Sequence, residues 1–256
     1  MLRIQLDSVG LAFGSYHAID GVSFEAAPGQ FLALVGPTGC GKSSLLNLVA
    51  GLLKPSAGTV RVGGRTLDSV NREAAYMFQS DALLPWKTAL ENVALGPLLR
   101  GTPRVQAAKN AEFWLERVGL RGLGSRYPAQ LSGGQRKRVA MAQALINRPP
   151  ILLMDESFSA LDVQTRALME NELLELWREL KATVLFVTHD LEEAIAMADR
   201  VLLLTAGPNA TIKGDYKVHL PRPRNVAESR FINGFTELYE TIWRDLKEEV
   251  MATYAR

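Results

Sequence analysis

An α/β fold built around a mostly parallel sheet is the class that this sequence predicts, and three observations predict it. Short, continuously apolar runs recur as FLALV (31–35), ILLMD (151–155), TVLFVTH (183–189) and RVLLLT (200–205), with TVRV (59–62) among them. Continuous apolarity, rather than alternation, marks strands buried on both faces by covering helices. Between residues 80 and 150 this β signal gives way to helical periodicity, from RVQAAKNAEFWLERVGL onward, which reads as a helical insertion. Before it, IQLDSVGLAF, GVSFEAAPGQ and the turn-rich KPSAGTVRVGGR read as hairpins of a smaller antiparallel sheet.

Composition narrows the partners. At 256 residues and 47% hydrophobic, the chain has ample material for a packed core. Lys and Arg number 29 against 27 Asp and Glu, so bulk charge does not call for nucleic acid or an acidic membrane surface. The single cysteine, Cys40, excludes an internal disulfide or a multi-cysteine zinc site and fits a reducing compartment. The start, MLRIQLDSVGLAFG, lacks a signal-peptide pattern, and no apolar stretch approaches the roughly 18 residues that span a bilayer. A cytosolic protein is expected, with any membrane span supplied by a partner.

The strand at 31–35 runs into GPTGCGKS, which matches G-x-x-x-x-G-K-[ST], and then into the helical SLLNLVAGLL beginning at Ser44. Strand, loop and helix stand in the required order for a phosphate-binding loop. Gly36, Gly39 and Gly41 let backbone N–H groups curl around phosphate oxygens, Lys42 reaches the terminal phosphates, and the Ser43 hydroxyl can ligate Mg²⁺. Cys40 is most simply a small bystander within the loop. The run ILLMD ends in Asp155, with Glu156 next: four apolar residues closing on an acid that holds the metal, then a carboxylate placed to orient water against a γ-phosphate. His189 closes a third strand at its carboxyl end, where open α/β sheets place ligands, and reads as a γ-phosphate sensor.

One stretch is a puzzle. LSGGQRKRVAMAQAL (131–145) has helical spacing in Val139, Ala142, Leu145 and Ile146, yet Arg136, Lys137 and Arg138 crowd its positive N-terminal turn. Something negative is expected there. Ser132-Gly133-Gly134 could be a plain cap and turn, or an anion site made of free N–H groups with no bulk in front of them.

These motifs, in this order and over nearly the whole chain, resemble the ATP-binding subunits of ABC transporters. The resemblance implies the ABC ATPase fold, a P-loop core carrying an antiparallel subdomain and a helical insertion, with ATP and Mg²⁺ as ligands. It assigns Pro37, Thr38, Cys40 and Ser44 to the nucleotide site with the glycines, Lys42 and Ser43. Gln79 in YMFQ becomes the Q-loop glutamine, catalytic and metal-ligating. Ser159 to Asp162 become the D-loop, His189 the switch histidine, and Phe13 the adenine-stacking aromatic with Tyr16 as fallback. Ser132, Gly133, Gly134 and Gln135 would then serve an ATP held on a second subunit, so that the negative partner of the basic helix arrives in trans. FQSDALLPWKTALENVALG and LPRPR look like the nitrate, sulfonate and taurine branch of importers, with Leu83, Leu84 and Trp86 either rimming a groove for a permease helix or packing inside the insertion. Two departures stand out: Ser157 replaces the family's usual Pro after the catalytic glutamate, and Gln143 replaces a commoner Arg.

The expectation is thus one ATPase domain over residues 1–219, followed by a basic spacer and an amphipathic helix over 220–256. Phe231, Phe235, Leu238, Ile242 and Leu246 share one stripe of that helix, most simply docked on its own domain. The expected function is ATP hydrolysis in a homodimer at the cytoplasmic membrane face, energising a permease that imports a small solute such as nitrate, sulfonate or taurine. A solute-binding protein outside the membrane is an indirect partner, and nucleic acid is not one. The rival is a soluble ABC-type ATPase acting on nucleic acid or the ribosome, which would be expected to carry a coiled-coil insertion or two cassettes. A small-molecule kinase or GTPase shares the phosphate loop but does not predict LSGGQ.

Overall fold

In the computed structural model, which describes residues 1–254, two sheets face each other. The larger is built from β3 (Phe31–Val35), β6 (Ala74–Met77), β7 (Ile151–Asp155), β8 (Thr183–Val187), β9 (Arg200–Leu204) and β10 (Ile212–Lys217), in the order β10-β9-β3-β8-β7-β6. All its neighbours pair in parallel except β10, which runs antiparallel on β9. The smaller sheet orders β2 (Tyr16–Ala26), β1 (Ile4–Phe13), β4 (Ala57–Val62) and β5 (Arg65–Thr66), all antiparallel. TVRV thus belongs to the smaller sheet, where Arg61 points outward between buried Val60 and Val62. Gly58 is required at its start, because a Cβ there would lie 2.2 Å from the Ser8 carbonyl oxygen.

Two cores lie on opposite faces of the parallel sheet, and β3 shows why its run is apolar throughout. Phe31, Ala33 and Val35 enter one cluster; Leu32 and Leu34, one residue out of phase, enter the other. The second cluster joins the small sheet and α1 (Lys42–Val49) to the large one. The first takes in the insertion helices α2 (Ala89–Leu99), α3 (Arg104–Arg117) and α4 (Gly133–Leu145), together with α5 (Val163–Leu180) and α6 (Leu191–Met197). The insertion begins sharply because Thr88 and Glu91 form a reciprocal capping box on α2.

After the short α7 (Val226–Ser229), the chain ends in α8 (Phe235–Tyr254), whose Phe235, Ile242 and Leu246 are buried in the first cluster. Phe231 corrects the predicted stripe: it precedes α8 and is exposed, with the Arg230 guanidinium over its ring. The basic segment LPRPR is held within the fold. Arg222 pairs with Asp199 at 2.7 Å and lies 4.4 Å over the Trp177 ring. Arg224 is buried and donates to the carbonyl of Ala198, at the end of α6, at 2.6 Å and to that of Leu220, within its own segment, at 2.9 Å. Burial, with Arg222 alongside, lowers its pKa to about 10.

Candidate functional site

The phosphate loop links the buried β3 to α1. Gly39 and Gly41 sit at φ 80° and 96°, left-handed conformations that only glycine adopts without strain. Lys42 is buried, and its ammonium donates to the carbonyls of Gly36 and Pro37, each at 2.9 Å, so it closes the loop on itself. Thr38 and Gly39 are exposed at the loop tip, while Cys40 is fully buried and burial pushes its thiol pKa up. Its side chain is structural, in keeping with the bystander reading. Ser43 donates to Asp155 Oδ1 at 2.9 Å, bringing hydroxyl and carboxylate together from residues 112 apart, and Ser44 follows in the first turn of α1.

Three neighbouring strands converge on the next residue. Glu156 stands just past β7 at φ 45°, uncommon for a residue with a side chain, and its N–H donates to Val187 at the end of β8. Its Oε2 accepts from Gln79 Nε2 at 3.2 Å, two residues past β6, and lies 3.3 Å from His189 Nδ1, two residues past β8. The three predicted residues therefore meet at the carboxyl ends of parallel strands, the position expected for a ligand crevice. Asp155 is partly buried; desolvation raises its pKa against hydrogen bonds from Ser43 and from Tyr76, whose hydroxyl donates at 3.3 Å. Tyr76 escaped sequence reasoning because AAYM is too short and weakly apolar to announce β6.

The signature segment, LSGGQ at 131–135, resolves half of its puzzle within the chain. Ser132 caps α4 and exchanges hydrogen bonds with Gln135, as a capping box. Arg136 and Lys137 share Asp81, at 3.0 and 3.2 Å, and Arg138 pairs with Glu172. The basic side chains thus have acids of their own subunit, which corrects the expectation that their negative partner comes in trans. Ser132 and Gly133 nevertheless remain exposed at the helix start; with the Ser132 N–H given to Gln135, what is left to offer an anion is the Ser132 hydroxyl proton and the glycine N–H groups. Lys137 also donates to the Gln79 carbonyl at 2.7 Å, tying α4 to the Q-loop. Asp162 caps α5, and hydrogen bonding to Thr165 N–H holds its carboxyl below the usual range.

Phe13 and Tyr16 face each other across the β1–β2 turn, both about half exposed. The Tyr16 hydroxyl reaches Gly207, where the Gly39 carbonyl also abuts, so the fallback aromatic stands beside the phosphate loop. Trp86 is 70% exposed; Leu83 and Leu84 are half-buried, with Leu83 packed on the core. Asn92 was missed from sequence. Fully buried, it accepts from Leu84 N–H at 2.8 Å and donates to the Leu84, Lys87 and Thr88 carbonyls, fixing the loop that presents Trp86.

A glycine loop opening a helix, beside a hydroxyl–carboxylate pair and a second acid, defines a P-loop nucleotide hydrolase. The sequence model of the ABC transporter family matches residues 19–159, and the chain belongs to that family. It is an ATPase with the cassette fold. It is 47% identical over 196 residues to the taurine import ATP-binding protein TauB of Chromobacterium violaceum, covering 77% of this chain and 75% of that one. The aliphatic sulfonates import ATP-binding protein SsuB of Yersinia pestis is 44% identical over 239 residues, 93% of this chain and 85% of its own. The nitrate import ATP-binding protein NrtC of Synechococcus elongatus is 42% identical over 217 residues, 84% of this chain but 33% of its own length. Among solved structures, the dimeric ATP-binding cassette MJ0796 bound to ADP and Pi superposes with a TM-score of 0.73 at 31% identity, over 85% of this chain and all of that one.

Proposed function

We propose that this chain is the nucleotide-binding subunit of an importer: two copies close head to tail on ATP, hydrolyse it, and drive a permease for a small solute such as taurine, a sulfonate or nitrate. The observation that carries the reading is the convergence of Gln79, Glu156 and His189 next to the Ser43–Asp155 pair. The importer assignment is supported by the names of its relatives. A solute-binding protein outside the membrane would deliver the solute. Among the described residues, no helix is long and apolar enough to cross a membrane; in this reading the permease supplies the span and this chain sits at its cytoplasmic face.

In this mechanism the phosphate loop cradles the β- and γ-phosphates, and Lys42 exchanges its loop carbonyls for phosphate oxygens. Glu156 accepts a hydrogen bond from the attacking water and aims it at the γ-phosphorus; His189 and Gln79 hold Glu156 and touch the γ-phosphate. Ser132 and the N–H groups of the partner copy's α4 add donors at the developing charge. Ser43, Asp155 and Gln79 would hold Mg²⁺: they are hard oxygen donors, and the Ser43 hydroxyl already lies 2.9 Å from Asp155 Oδ1. Bound there, Mg²⁺ neutralises charge on the phosphate oxygens. Phe13 or Tyr16 stacks on the adenine.

In this reading the docking face is built on the exposed Trp86; the groove of about 270 Å³ between β6 and α4 is lined by Phe78, Ala82, Arg100, Ala140 and Gln143, not by Leu83, Leu84 or Trp86. The test is Trp86→Ala. Aromatic anchors commonly contribute ~2 kcal/mol or more to an interface. Being 70% exposed, Trp86 should be dispensable for folding and ATP binding of the free subunit, while co-purification with the permease and transport-coupled hydrolysis fall. Unchanged assembly and transport would remove this segment from the interface; co-purification with ribosomes or nucleic acid instead of a membrane protein would overturn the importer reading.

A further inference from the structure

One side chain touches both the D-loop and the switch segment. Arg166, in the first turn of α5, donates through Nη2 to the carbonyls of Ser159 at 3.3 Å and Leu161 at 3.1 Å. Its Nη1 lies 3.6 Å from Asp190 Oδ2. Asp190 directly follows His189 and caps α6, accepting from the N–H groups of Glu192 and Glu193 at 2.9 and 3.2 Å.

A second set of bonds returns to α5. Asp190 N–H donates to Thr188 Oγ1 at 3.0 Å, the Thr188 hydroxyl donates to Glu193, and Glu193 is hydrogen-bonded to Glu170. Glu170 stands one turn along α5 from Arg166. His189 is thus flanked on both sides, at Thr188 and Asp190, by residues anchored in this ring, while its imidazole is 57% exposed toward Glu156. Arg166 Nε, part of the same guanidinium fork, is buried without a hydrogen-bond partner. Buried polar atoms are rarely left so, and a linkage that exchanges partners between two arrangements would leave them so in one of the two.

We infer that Arg166 and Asp190 are positioning residues that tie the D-loop to the backbone aiming His189 at Glu156, so that D-loop placement sets the switch geometry. The inference rests on the proposed roles of His189 and of a D-loop that meets the second subunit. It makes hydrolysis sensitive to dimer closure through a direct mechanical link: when the D-loop carbonyls shift, Arg166 shifts with them, and the cap of α6 follows.

A double-mutant cycle in the full-length chain tests this, with steady-state Mg-ATP hydrolysis, ATP affinity and thermal unfolding as readouts. Asp190→Asn keeps the helix cap but loses the charge facing Arg166; Arg166→Lys keeps the charge but lacks the fork that spans Asp190 and two carbonyls. Each should lower kcat about tenfold, with KM and the unfolding midpoint close to parental, the range expected for one charge-assisted bond acting on the transition state. In a His189→Ala background neither should lower kcat further. Parental kcat in both single variants, losses that multiply with His189→Ala, or losses that merely follow a fall in the unfolding midpoint would overturn the inference. If His189→Ala itself hydrolyses ATP at the parental rate, the proposed role of His189 fails instead, and the two failures are distinguishable.

Discussion

Glu156 keeps its carboxylate between Gln79 and His189 although its backbone sits at φ 45°, and strain of this kind collects at sites where geometry matters more than local stability. Replacing it by Gln preserves size and hydrogen bonding but removes the charge that polarises water in the proposed mechanism. Glu156→Gln should therefore lose about 100-fold or more in kcat while still binding ATP, and should run as an ATP-held dimer in size-exclusion chromatography. Hydrolysis near the parental rate would remove Glu156 from the mechanism. Ser157, which stands where the family usually has Pro, is anchored: it is fully buried and donates to the Met77 carbonyl at 3.1 Å. That bond joins the residue after Glu156 to the strand that leads to Gln79. Ser157→Ala should cost about 1 kcal/mol in denaturant unfolding and lower kcat more than KM; unchanged unfolding and kcat would show that the bond matters to neither. The identity of the residues at this site was legible because each closes an apolar run or sits in a spaced motif. Their partners were not, because Tyr76, Asp81 and Arg166 carry no pattern and acquire meaning only when distant segments meet.

Among the elements, those with strong periodicity were legible and those shaped by tertiary context were not. The run FLALV predicted β3 over its full length, whereas IKGDYK, with Lys, Gly, Asp and Lys, forms the antiparallel edge strand β10 only because β9 offers it a ladder. The basic turn of α4 suggested a missing anion, and Asp81 and Glu172, 55 and 34 residues away in the chain, supply acids that no local reading could locate. The contact between α5 and α6 carries a pH signature. Burial, and then Glu170, push the Glu193 pKa well up, with Asp190 adding to the rise and the Thr188 hydroxyl opposing it; Glu170 is itself raised by burial against Arg166. The native chain therefore binds more protons than the unfolded chain above the ordinary carboxylate range, and stability falls as pH rises through that window, levelling off above the folded value. Glu193→Gln mimics the protonated acid without titrating. It should flatten the decline in urea unfolding midpoint as pH rises above the ordinary carboxylate range and raise stability at the alkaline end. Equal slopes in both proteins would place the titration elsewhere.

At the scale of the whole molecule, the cassette presents incomplete surfaces. The phosphate loop, Asp155, Glu156 and His189 gather at the carboxyl ends of the interior parallel strands, while the exposed Ser132 and Gly133 open a helix whose cationic side chains are already paired. A helix start with its own charges neutralised and its backbone donors uncovered is suited to an anion that another copy has already bound. The central claim is therefore that each ATP site is composite, and mixing two inactive variants tests it most directly. Gly133→Asp places a carboxylate at the helix start, where a new Cβ meets nothing nearer than an Arg136 nitrogen at 3.9 Å, and Lys42→Ala removes the phosphate-loop cation. Each homodimer carries a defect in both sites. In the mixed dimer, action in trans puts both defects into one site and leaves the other intact, so ATPase activity should appear on mixing although each variant alone has almost none. If the mixture stays as inactive as its components while forming mixed dimers, the signature segment serves its own subunit and the composite site is wrong.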